Sequence, residues 1–318
     1  MLRLIFYSLV LMVFASPAKA WNGVGHRIVA EMVWRGMSRT QRHEATELLK
    51  QHPHYKIILT ADVPKGVDKD EWAFLSAAVW PDMVRPKRSG RNEEIAKYDL
   101  YPHAIGYPFM RPAETNHVLI ENFFIARPDA EMVLSNMFIT LGNRTASAPE
   151  RAVSLCWALH LCGDLHQPLH GANLVTKERP RGDELGGHHM VIDGHGKMVN
   201  MHSFWDSLPG IDGSYSYIAT QAKQIAGDRK LKSATKREFE DDKTIASWVQ
   251  ESFRAAVHSA YSDATLPFAN EDDVKSGKVM QGDIPKLSAA YITEAHQIAR
   301  RRLLLAAERL SVELKRVW

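Results

Sequence analysis

The segment from Arg151 to Leu165, RAVSLCWALHLCGDL, constrains this chain more than any other. It reads as a strongly apolar helix. Yet it carries His160 and Asp164, four residues apart and so on one helix face. Pro168 ends the helix, and His170 follows in the turn. A buried aspartate in so apolar a helix is costly without a cation beside it. A buried hydrogen-bonded His160/Asp164 pair is the competing reading.

Other segments repeat the chemistry. MHSFWDS sets His202 and Asp206 at the same four-residue spacing; VWPDMV offers Asp82 just after Pro81, YPHAIGYP offers His103, and GVGH offers His26. Singly, His103 would more often be a core or surface histidine, and Asp82 a helix cap. As five histidines and three aspartates in compact settings they point to a metal site. Imidazole nitrogen and carboxylate oxygen are usual ligands of catalytic zinc.

The first twenty residues have a different purpose. Arg3 gives a positive start, Leu4 to Phe14 is apolar but too short to span a bilayer, and Ala18-Lys19-Ala20 ends the run. This predicts a secretory signal peptide over 1–20, cut after Ala20, and a secreted or periplasmic mature chain, 21–318, that begins at Trp21. A buried N-terminal helix would not need the Ala-Lys-Ala ending. The formal net charge is +3, and without Arg3 and Lys19 it is +1. A near-neutral chain has no broad basic surface for duplex DNA. The two cysteines, Cys156 and Cys162, lie in the predicted helix. Six helical residues rise about 9 Å, beyond the roughly 7 Å limit for a disulfide, so no intrachain bridge is expected. A bound metal is a candidate for the missing stabilisation.

The fold class expected is all-α, in a single helical domain over 21–318. Helices are predicted from Gly25 to Arg35, from an N-cap at Ser38 to about Gln51, from Asn116 to about Ala126, from Asp129 to Leu141, and from Arg151 to Leu165. Two long amphipathic helices, Lys243 to Tyr261 and Ala289 to Leu314, close the chain. Residues 62–71 and 84–94 read as loops, and 262–286 as a long surface connection. HHMVIDGHGKMVNMH predicts a small β-hairpin near 188–202, turning at Gly194-His195-Gly196.

In this order the motifs resemble a known family. Trp at the mature N-terminus, Gly-His soon after, W-x-D, a single His, H-x-x-x-D-x-x-Q-P-x-H and H-x-x-W-D follow the pattern of the zinc-dependent S1/P1 nucleases, whose fold is phospholipase C-like. The resemblance covers most of 21 to about 210. It implies three zinc ions per chain. Asp82, His103, His160 and Asp164 would hold one. Trp21, through its freed α-amino nitrogen and its carbonyl oxygen, would hold another with His26 and a shared Asp164. His170, His202 and Asp206 would hold the third. The zinc pair sharing Asp164 would lower the pKa of a bridging water towards about 7, making hydroxide the nucleophile. The substrates implied are single-stranded RNA and DNA, cut to 5′-phosphates, and 3′-nucleotides, which lose their 3′-phosphate. No protein partner is implied.

Two departures fall where the family lines its substrate. The family's Phe-Ile-Asp after the histidine ligand is here Ala104-Ile105-Gly106, and its Gly-Gly-Asn is Gly186-Gly187-His188. Ala104, Gly106 and His188 are therefore the candidate substrate-binding positions, with Tyr101, Tyr107 or His188 as possible stacking surfaces. Two other readings stand beside this one. A zinc phospholipase C shares the helical fold and the N-terminal Trp ligand, but has glutamate where Asp206 stands. A zinc-stabilised binding protein without catalysis is the other.

Overall fold

The computed structural model describes residues 21–86, 90, 92–112 and 125–318. The leader and most of the expected Asn116 to Ala126 helix lie outside the described residues. Helix α1, Gly23–Gly36, starts two residues early because the Asn22 side chain accepts the Val24 and Gly25 amides. Its Ile28, Val29, Met32 and Val33 stripe is buried. Helix α2, Arg39–Leu49, opens with a capping box between Ser38 and Gln41. Helix α3, Lys69–Ala77, occupies the end of a stretch that reads as loop; Asp68 caps it. Short helices α4, Trp80–Met83, and α5, Glu93–Ala96, follow, the first with Pro81 in its opening turn.

Helix α6, Ala130–Gly142, is capped by Asp129. Helix α7, Ala148–Asp164, is the axis of the molecule. A Ser147/Glu150 capping box moves its start three residues ahead of the expected Arg151. Every residue from Ser154 to Asp164 is buried, because α6, α1, α2, α3, α4 and the last helix all pack around it. Cys156 and Cys162 are both free and buried in it.

After α7, a 3-10 turn at Pro168–Gly171 leads into β2, Ala172–Leu174. This strand pairs in parallel with β1, Tyr107–Phe109, with Tyr107 opposite Ala172. The pair was not foreseen; three residues are too few for alternation to register. The expected hairpin forms between β3, His189–Ile192, and β4, Met198–Asn200, with Met190 opposite Asn200. A third strand, β5, Ala269–Asn270, joins the other edge of β3, so part of the expected surface connection belongs to the sheet.

Helix α8, Met201–Ser207, carries His202 and Asp206. Helices α9, Tyr215–Gly227, and α10, Arg229–Asp241, meet at Asp228, which ends one and caps the other. Helix α11, Ile245–Ala255, is shorter than expected: it gives way to a π-helical turn, Ala256–Ala260. Short α12, Glu271–Lys275, follows β5, and α13, Ala289–Val317, closes the chain. Among the described residues no helix is long and apolar enough to cross a membrane.

Candidate metal centre

The centre grows from the C-terminal end of α7. Asp164 is fully buried, and imidazoles approach it on both oxygens. His26 Nε2, from α1, lies 3.2 Å from Oδ1. His103 Nδ1 and His160 Nε2 lie 3.0 and 3.2 Å from Oδ2. His103 comes from the loop before β1, and its Nδ1 is 2.8 Å from His160 Nε2. Asp82, in α4, completes a set with His26 and His160, while His103, His160 and Asp164 form a second; in each set one donor atom per residue lies within 4.8 Å of the others.

His170, His202 and Asp206 form a third set of the same compactness. His202 and Asp206 share one face of α8, with Nε2 and Oδ2 3.3 Å apart. Gln167 links this set to the first: its amide nitrogen donates to Asp206 Oδ1 at 2.9 Å, three residues after Asp164. Spacing could not reveal Gln167's role, since it lies across the chain in Asp206.

Backbone carbonyls fix the rings. His160 Nδ1 donates to the Ala78 carbonyl at 2.8 Å, His170 Nδ1 to the His103 carbonyl at 2.8 Å, and His202 Nδ1 to the Leu185 carbonyl at 2.9 Å. Each ring therefore keeps its proton on Nδ1 and turns Nε2 into the cluster, as orienting partners of metal-bound histidines do. Leu185 holds its carbonyl from a left-handed backbone, φ 62°, next to Glu184 at φ 52°. The Asn173 side chain, which accepts the Asp183 amide at 2.8 Å, braces that loop.

The electrostatics call for positive charge. Burial pushes His26 down, helped by His160, and burial brings His103 down to about 4. Both are neutral imidazoles at neutral pH, with a lone pair to offer. Burial opposes ionisation of both carboxylates, but the histidines, His160 foremost, hold Asp164 below the usual carboxylate range, and His160 followed by Arg85 does the same for Asp82. His160 is the exception: burial would lower it, yet Asp164 and Asp82 together raise it.

A metal fits these residues on direct grounds. Both Asp82 oxygens, both His26 nitrogens, Asp164 Oδ1 and His103 Nε2 are buried without a hydrogen-bond partner; the 3.2 Å His26–Asp164 approach is too poorly aligned to make one. Unpaired polar atoms in a dry interior carry a penalty of about 1–3 kcal/mol each. Their convergence is accounted for by ions they would ligate.

Trp21 is fully buried. The Asn22 amide donates to the Asp206 carbonyl at 3.1 Å, and Gly25 lets the Trp21 ring close in: a Cβ there would stand 2.8 Å from the Trp21 Cβ. The start of α1 is thus held between the first and third sets. At Gly163 a Cβ would stand 2.9 Å from His26 Nδ1, so the glycine gives the imidazole its place against α7.

The candidate substrate positions divide. Ala104 is half-buried beside His103. Gly106 has φ 62°, and a Cβ there would meet Leu185 Cδ2 at 2.9 Å. Its amide and that of Ile105 donate to the His170 carbonyl at 3.1 and 3.0 Å, so Gly106 serves backbone packing around a cluster histidine. His188 sits between two carboxylates, Nε2 3.2 Å from Glu184 and Nδ1 3.1 Å from Glu271. Tyr101 meets Trp157 edge-on at 5.1 Å and Tyr107 meets Phe253 edge-on at 6.2 Å. Composition also gave no sign of Arg85, whose Nε is 3.4 Å from Asp82 Oδ1 and whose side chain is part-exposed at the cluster edge.

Comparison with known proteins bears on the whole chain. Residues 21–318 match the S1/P1 nuclease family. Endonuclease 2 of Arabidopsis thaliana is 23% identical over 314 residues, spanning 97% of this chain and 94% of that protein. Endonuclease 1 of the same plant is 23% identical over 316 residues, spanning 95% and 88%. Nuclease S1 of Aspergillus oryzae is 32% identical over 73 residues, 23% of this chain and 22% of that protein.

Proposed function

Since this chain belongs to the S1/P1 nuclease family, we propose that it is a secreted zinc enzyme that hydrolyses single-stranded RNA and DNA to 5′-phosphates and removes the 3′-phosphate of nucleotides. The observation that carries the reading is the convergence of buried nitrogen and oxygen donors on Asp164, with a third set joined through Gln167. Mixed imidazole and carboxylate donors suit zinc, and three sets suit three ions, Trp21 supplying backbone donors beside His26. The ions would supply an activated water at neutral pH and charge to offset the phosphate.

The chain's own residues do the rest. Asp164 presents one oxygen to the His26 side and the other to the His103 and His160 side. Carbonyl-anchored rings keep that geometry without reorganisation. Arg85, paired with Asp82 at the cluster edge, adds positive charge beside the donor sets. Cysteine chemistry is an unsuitable alternative: Cys156 and Cys162 are buried, and burial raises both thiols, Cys162 to about 12. Secretion is supported by the apolar leader and by a family match that starts at Trp21.

The test is elemental analysis of the purified mature chain together with a substrate panel: single-stranded DNA and RNA, duplex DNA, 3′-AMP and phosphatidylcholine. Three zinc ions, preference for single strands and release of phosphate from 3′-AMP are expected, all abolished by EDTA. An active protein with one zinc or none would sink the assignment. Turnover of phosphatidylcholine alone would make it a phospholipase, and full metal with no turnover would make it a binding protein.

A further inference from the structure

Behind the centre lies a buried ionic network that the proposed chemistry does not use. Arg302 and Arg309, on α13, and Glu251, on α11, are all at most 5% exposed. Arg302 Nη1 donates to Glu251 Oε2 at 2.5 Å, and Arg309 Nη1 and Nη2 donate to Oε2 and Oε1 at 2.7 and 2.6 Å. Two guanidinium groups thus share one buried carboxylate. For stability alone this is a poor use of a helix interface, since buried ion pairs often do no better than apolar packing.

The surplus donors have a destination. Arg302 Nε donates to the His166 carbonyl at 3.1 Å. Arg302 Nη2 donates to Ser252 Oγ at 2.8 Å, and that hydroxyl donates to the Leu165 carbonyl at 2.5 Å. Arg309 Nη1 donates to His166 Nε2 at 2.9 Å, while His166 Nδ1 donates to the Cys162 carbonyl at 2.7 Å. His166 lies inside the H-x-x-x-D-x-x-Q-P-x-H run, yet it faces away from the three donor sets and into this network. Residues 165 and 166 are the whole of the chain between Asp164, which belongs to the second set and approaches His26 of the first, and Gln167, which holds Asp206 of the third.

We propose that Arg302 and Ser252 are positioning residues of the metal centre: they grip the Leu165 and His166 carbonyls and so set the spacing between Asp164 and the Gln167–Asp206 pair. The proposal rests on the zinc reading above for its functional readout, but the grip itself can be tested without it. Loss of partners that orient metal ligands weakens metal binding by about 10–100-fold.

Ser252→Ala removes one hydroxyl, and Arg302→Lys keeps the charge while removing the Nε–H donor. The control is Leu310→Ala, a fully buried α13 residue whose loss destabilises the same helix interface. Zinc-loaded full-length mature protein is used throughout. Two readouts are followed against melting temperature: release of zinc to a chromophoric chelator, and hydrogen exchange at the Gln167 and His170 amides. Both substitutions should speed zinc release about tenfold or more and raise exchange at those amides, whereas Leu310→Ala should lower the melting temperature with neither change. Should Leu310→Ala release zinc and open the turn as much as Arg302→Lys does for the same loss of melting temperature, the network is structural and the proposal fails. Unchanged exchange in both substitutions, in folded protein, also overturns it. A protein that holds no zinc at all would instead remove the functional reading and leave the exchange arm to decide the grip.

Discussion

The imidazoles of His26 and His160 lie face to face, centroids 4.0 Å apart and planes 18° from parallel. One comes from the first helix and the other from the central one. They address different oxygens of Asp164, so this carboxylate serves two neighbours at once. Asp164 belongs to the second donor set and also approaches His26 of the first, whereas Asp206 belongs to the third.

That asymmetry predicts unequal losses. Asp164→Asn should remove most of the phosphodiesterase activity, at least about 100-fold, and lower zinc content by more than one ion. Asp206→Asn should lose one ion and less activity. Each effect follows from removing one anionic donor from a cation's surroundings. Equal, mild losses measured side by side would mean that both carboxylates are structural.

Gly163→Ala should disturb catalysis more than folding. The added methyl would overlap His26 Nδ1 at 2.9 Å, and the ring must shift. Alanine is otherwise the better helix former by about 1 kcal/mol. The expected outcome is a melting temperature within a few degrees of the parent in the presence of chelator and activity reduced about tenfold or more. Full activity would show that His26 needs no fixed position.

Trp21 gives a third test. A peptide nitrogen is not basic, whereas a free α-amine has a pKa near 8 and can bind zinc. A mature chain produced with one extra methionine before Trp21 should fold, bind about one zinc fewer and lose most activity. Removing the methionine with an aminopeptidase and adding zinc should restore both. Full metal and full activity with the methionine in place would exclude Trp21 as a ligand.

His52 sets a pH dependence away from the centre. It is 3% exposed, accepts the His54 amide at 3.0 Å, and meets Trp80 edge-on at 4.6 Å. Burial pushes its pKa down to about 3. The unfolded chain takes up this proton near pH 6.5, and the folded chain does not until about pH 3. Stability is therefore complete above pH 6.5 and falls as pH drops towards 3, by up to about 5 kcal/mol. In urea titrations of the parent and of His52→Gln between pH 7 and 4, the parent should show the steeper decline. Parallel curves would contradict a neutral buried His52.

Much of this was readable in the chain because burial and chemistry coincide there. Arg151 to Leu165 could only be a buried helix, and His160 and Asp164 four residues apart had to share a face. The hairpin was legible from alternation on either side of Gly194 to Gly196. Helices α9 and α10 were missed although Ser214 and Asp228 are good caps, since their buried stripes are thin: α10 buries only Thr235. The β1–β2 pair was too short to carry a pattern. His166 and Arg302 were invisible for another reason. Their partner groups are backbone carbonyls and distant side chains, which leave no spacing in the sequence.

The bond from Arg302 to the His166 carbonyl joins residues 136 positions apart. A chain is synthesised and begins to fold from its N-terminus. The donor sets are all encoded by residue 206, but the residue that fastens the turn between them arrives almost a hundred residues later. A chain interrupted between Asp206 and Ser252 would carry every proposed metal-binding side chain and neither fastener. Completion of the polypeptide then acts as a checkpoint on its own chemistry, and fragments released by truncation or proteolysis lack the means to hold the centre together.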